Sequence, residues 1–97
     1  MEVIDEVAST LKMDRDFLAH ASIKTFLEKE LRCTEAEIFK IGARHGVGSI
    51  FELDDKLKKG EVLEEDILDD FQELDYLEAR RDELLAAMKS LPQQQQT

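Results

Sequence analysis

Two long runs of residues at alternating spacings of three and four, separated by a glycine-rich break, constrain this 97-residue chain more than any other feature. Leu31, Thr34, Ile38, Ile41 and His45 form the first, with Phe17, Ala21, Ile23, Phe26 and Leu27 widening it upstream. Ile67, Asp70, Leu74, Leu77, Arg81, Leu84, Met88 and Leu91 form the second, with Phe71 and Leu85 as flankers. A three-four alternation keeps side chains on one stripe of an α-helix and does not suit a strand, whose faces alternate at every residue. Two such helices joined by a short elbow fold back on each other as an antiparallel hairpin. The chain is therefore predicted to be all-α.

Caps and breakers place the boundaries. Val3, Ile4, Val7, Ala8 and Leu11 predict a short amphipathic N-terminal helix, with a strand at Glu2–Ile4 as the lesser alternative. Asp14 is an N-cap candidate, and Asp16 follows in the first turn, where the helix dipole favours a carboxylate. The long helix then runs to about Arg44. Thr34 and Glu37 have capping-box spacing, but no Gly or Pro interrupts the chain there, so continuity through Cys33 and Thr34 is expected. Gly46 and Gly48 end it. Ser49 and Glu52 open a short third helix carrying Ile50, Leu53 and Leu57, which stops at Lys58, Lys59 and Gly60. The fourth begins near Leu63, with Glu64, Glu65 and Asp66 in its first turn, and Pro92 stops it. Residues 1–92 read as one helical domain, and the Gln-rich residues 93–97 as a disordered tail.

Charge is abundant and lopsided. Charged residues make up 37% and the formal charge is −10. Residues 1–46 hold seven Lys/Arg against nine Asp/Glu, while residues 47–97 hold six against fourteen. Such a surface repels phosphate backbones and anionic membranes, so neither nucleic acid nor membrane is an expected partner. The longest apolar run, Leu84–Met88, is far short of the ~20 residues a bilayer span needs. Met1–Met13 lacks the basic-then-apolar pattern of a signal peptide. A lone Cys33 suits a reducing compartment, and a soluble, cytoplasmic protein is expected.

The stretch FLEKELR, EAEIFKIGARHGVGSIFELDDKLKKGE and EEDILDDFQELDYLEARRDELL, between Phe26 and Leu85, resembles small helical proteins found mainly in archaea. These are often uncharacterised and often classed as antitoxin-like. Leu11–Arg32 is similar to the first helical part of ribbon-helix-helix antitoxins. The resemblance implies a helical protein that binds another chain, with DNA binding by the front portion as an alternative role. Against that alternative, Met1–Met13 offers only Lys12 among Glu2, Asp5 and Glu6 where a DNA-reading strand would be basic or polar.

The residues themselves point the same way. Glu65, Asp66, Asp69, Asp70, Glu73 and Glu78 form an acidic run suited to a basic groove, and Phe71, Leu74 and Leu77 would add apolar contact. A helix pair has too little interior to cover both flanks of each stripe. Phe17, Ile23, Phe26, Leu27, Leu31 and Ile38 are accordingly expected at a homodimer interface. Asp70 is expected to pair with Arg44 or Lys40, and Arg81 with Glu30 or Glu35, because a lone charge on a buried seam is costly. Neither His20 nor His45 has the Glu three residues before it that helical di-metal sites use, and neither metal nor cofactor is expected. Cys33 has no base nearby in sequence and reads as a buried or interface cysteine. The chain is read as a non-enzymatic, antitoxin-like binding module that sequesters a basic partner. The alternatives are a DNA-binding regulator and a structural oligomeric subunit.

Overall fold

The computed structural model describes residues 2–92. Among these there are four helices and no strand: α1 (Val3–Leu11), α2 (Arg15–His45), α3 (Ile50–Lys58) and α4 (Glu64–Ser90). Helix α2 is unbroken through Cys33 and Thr34, and Thr34 is buried in the middle of it. The predicted tail at residues 93–97 lies outside the described residues.

Helix ends carry the chain's turns, and three of them use the same device. After α2, the Gly46 N–H bonds the Ala43 carbonyl at 3.4 Å and the Val47 N–H bonds the Gly42 carbonyl at 2.8 Å, with Gly46 at φ 66°. This crossed pair satisfies carbonyls that the helix leaves open and turns the chain sharply. Gly60, at φ 73°, ends α3 in the same way, donating to Leu57 while Glu61 donates to Lys56. Helix α1 does it without a glycine. Lys12 sits at φ 57°, with bonds from Lys12 to Ser9 and from Met13 to Ala8. A side chain in this left-handed region costs about 1 kcal/mol. Lys12→Gly is therefore expected to stabilise the α1–α2 turn by roughly 0.5–1 kcal/mol. Urea denaturation and slower amide exchange in α1 would show it, and a loss of stability would refute it.

The interior is thin and concentrated at the elbow. Ile38 and Ile41 of α2, Leu53 of α3, and Ile67, Leu74 and Leu77 of α4 form one buried cluster. Val47, Ile50, Leu57, Val62 and Phe71 pack around it. Ser49 caps α3 by accepting from the Glu52 N–H at 3.3 Å, while the Glu52 carboxylate reaches back to the Gly48 N–H. Helix α3 thus lies across the hairpin where the two long helices are joined, and supplies Leu53 as a lid on the core.

The molecule is a rod of 60 × 26 × 18 Å with a radius of gyration of 19.4 Å, against about 13 Å for a compact domain of similar length. A rod has much surface and little interior. Large apolar residues stay exposed as a result: Val3, Val7 and Leu11 on α1, Phe17, Ile23, Phe26 and Phe39 on α2, and Phe51 on α3. Not every apolar residue expected at an interface remains available. Leu27 and Ile38 are buried within the chain and Leu31 is half-buried, because their stripe faces α4. Cys33, by contrast, is exposed.

Candidate functional site

Helix α4 starts without a side-chain cap, and Glu64, Glu65 and Asp66 in its first turn supply the negative charge its N-terminus attracts. Its inward stripe is Ile67, Leu74, Leu77 and Leu84, all buried. With 3.6 residues per turn, that stripe fixes what points outward. Glu65, Asp69, Glu73, Asp66 and Asp75 stand in solvent with Glu64. Leu68 and Tyr76 are exposed among them, Tyr76 at 65%. Between Glu64 and Glu78 the helix holds eight carboxylates and no Lys or Arg. A strip of one sign beside two bare apolar side chains attracts cations and offers them apolar contact.

Two carboxylates of the run are committed inside the chain. Asp70 lies 2.7 Å from His45 Nε2 and 3.5 Å from the Arg44 guanidinium, with only 22% of its side chain exposed. The pairing of Asp70 with Arg44 follows the sequence reading, and His45 joins it because α2 ends there. Lys40 instead meets Glu37 on its own helix at 3.7 Å. Glu78 accepts from the Ile50 N–H at 2.7 Å and is largely covered, so it satisfies the opening of α3. Arg81 lies near Glu78 and Asp82 of its own helix rather than Glu30 or Glu35, because those neighbours are nearest in space.

The apolar residues of the expected site are also redistributed. Leu74 has no exposed surface and Leu77 is buried; both belong to the core, and Phe71 packs half-buried against it. Leu68 and Tyr76, not singled out by the spacing, occupy the outward positions instead. The signal that could have found them is their offset of one or two residues from the seam.

The lysines at the end of α3 are engaged locally. The Asp54 carboxylate takes a hydrogen bond from Lys58 at 2.9 Å and raises its pKa, and Asp55 does the same for Lys59 at 2.8 Å. Lys56 donates to the His45 carbonyl at 2.9 Å. The Lys56–Lys59 cluster is thus paired locally rather than presented to a phosphate backbone. Among the described residues no three His, Cys, Asp or Glu side chains converge as metal ligands, and no helix is long and apolar enough to cross a membrane. A small open groove lined by Glu35, Ile38, Phe39, Val47, Gly48 and Arg81 sits at the elbow.

Comparison with known proteins agrees with an uncharacterised archaeal class. The profile of the family described as "Uncharacterized protein MJ0235 family" matches residues 1–96. The protein described as "Uncharacterized protein MJ0235" of Methanocaldococcus jannaschii is 34% identical over 68 residues, covering 70% of this chain and 82% of that one. No solved structure matches the chain.

Proposed function

The chain belongs to the Uncharacterized protein MJ0235 family, and from that premise we propose that it is a non-enzymatic binding module that sequesters a basic protein partner in the cytoplasm, as an antitoxin does. The observation that carries this reading is the outward face of α4. Glu65, Asp66, Asp69 and Glu73 are unscreened by any cation of their own helix from Glu64 to Glu78, and Leu68 and Tyr76 lie bare beside them. Long-range attraction brings a basic surface in, and burial of the tyrosine and leucine side chains then slows its release. Asp70 and Glu78 tie α4 to the end of α2 and the start of α3 behind this face, which lowers the ordering cost of binding.

Affinity capture with the co-expressed products of adjacent genes tests the proposal. A basic protein should be retained at low salt and released as salt shortens the screening length from ~10 Å at 0.1 M to ~3 Å at 1 M. Combined Glu65→Lys, Asp69→Lys and Glu73→Lys should abolish retention. Recovery of no basic protein, or equal recovery by the charge-reversed chain, would overturn it.

A further inference from the structure

Helix α4 presents more than a charged strip, because its outward residues fall into three rows. Leu68, Gln72 and Tyr76 follow one another at four-residue intervals, and Ala79 extends the line three residues on. All four are exposed, Leu68 at 44%. One row to the side runs Glu65, Asp69 and Glu73, each three residues before its neighbour in the central row. On the opposite side stand Glu64 and Asp75, eleven residues apart and so close to three helical turns. These five carboxylates are exposed, and the ion pairs of α4 among the described residues use Asp70, Glu78 and Asp82 instead. The face is therefore an apolar line, interrupted by one amide, between two lines of unpaired negative charge. A single helix builds it, so helix geometry alone sets its rows.

That arrangement specifies the shape of what docks. A partner covering it must offer an apolar middle with cations on both sides. A single extended strand cannot, because its side chains alternate between faces and leave one row on each. An α-helix offers a stripe several rows wide. Its Lys or Arg residues at i and i+4 repeat every ~6 Å, the interval of Glu65, Asp69 and Glu73. The backbone gives the same answer. No strand exists among the described residues, so an extended segment would find no sheet edge to pair with. It would press its own N–H and C=O groups against Leu68 and Tyr76 without partners, whereas a helix satisfies them internally. Resting on the reading of α4 as the docking face for a basic protein, we propose that the segment seated there is an amphipathic α-helix. Its apolar stripe covers Leu68 and Tyr76 over about three turns, with Lys or Arg on both flanks. Those residues suit the flanks because their stems lie along apolar surface while their charged ends reach the carboxylates. A helix of that length is marginal alone in water, so it gains helicity as it docks.

Three synthetic peptides of about 18 residues, somewhat longer than the contact, test this against the full chain. The first carries leucines at helical spacing with lysines on both flanks. The second has the same composition in strict leucine–lysine alternation, and the third is the first with a central proline. Fluorescence anisotropy should show the first binding about tenfold or more tighter than the other two, and circular dichroism should show helix gained on mixing. Tyr76→Ala should weaken that binding by about tenfold. So should Glu64→Lys with Asp75→Lys, and Glu65→Lys with Asp69→Lys, since both flanks contribute. Equal binding of all three peptides, loss from one flank only, or binding without gain of helix would overturn the inference. If a basic protein from the adjacent genes is captured on α4 but the helical peptide is not preferred, the inference alone fails. If neither protein nor peptide is retained, the proposed function fails with it.

Discussion

Leu74→Ala is expected to destabilise the chain by about 3–5 kcal/mol, the upper part of the range for emptying a buried leucine site. Leu74 has no exposed surface and sits in the cluster with Ile38, Ile41, Leu53, Ile67 and Leu77. Truncation removes the transfer free energy of the lost carbons and leaves a cavity, because three different helices frame the site and cannot all close on it. A chain of this size has roughly 5–15 kcal/mol in total, so this single change consumes a large share. Tyr76→Ala, two residues further along but facing solvent, is expected to shift stability by less than about 0.5 kcal/mol. Urea unfolding of both variants under the same conditions makes the comparison. Equal midpoints for the two variants would mean that α4 does not present Leu74 to the core.

Gly42→Ala carries the second large effect, and here sequence and structure predict opposite signs. Glycine inside a helix is about 1 kcal/mol less favourable than alanine, so position 42 of α2, read alone, promises stabilisation. In the folded chain Gly42 is buried, and a Cβ there would sit against the Val47 carbonyl oxygen, a backbone atom that cannot swing away. That proximity comes from the turn itself, since the Val47 N–H bonds the Gly42 carbonyl at 2.8 Å. The added methyl must push the α2–α3 turn open and disturb the packing of Val47 on the core. A net loss of about 2–3 kcal/mol is expected, the overpacking cost exceeding the propensity gain. For a domain of this length that is a fall in Tm of roughly 10–20 °C. A rise in Tm would show that the close approach does not exist.

These two residues show where the sequence was readable. Leu74 was legible as a seam residue from its spacing to Ile67, Leu77 and Leu84. That it was fully enclosed, and so unavailable to a partner, was not. Gly42 gave no signal at all, since its role depends on an atom five residues away across a turn. The same holds for Glu78, which looked like one more carboxylate in an acidic run and is bound to the Ile50 N–H.

Local chemistry alone determined the helices and their ends. Periodicity, the caps at Asp14 and Ser49 and the glycines at positions 46 and 60 act within a turn or two, and each appears where expected. Continuity of α2 past Thr34 followed from the same kind of signal. Only the tertiary structure decided how deeply each seam residue is enclosed and what its polar members bond. The predicted seam of α4 is the face that α2 and α3 cover, while the residues flanking it could have turned to the core or to water. Packing enclosed Leu74 and Leu77, paired Asp70 with His45, turned Glu78 to the Ile50 N–H and left Leu68, Tyr76 and the outer carboxylates facing water. The degree of enclosure depends on contacts between residues distant in sequence, which local spacing does not encode.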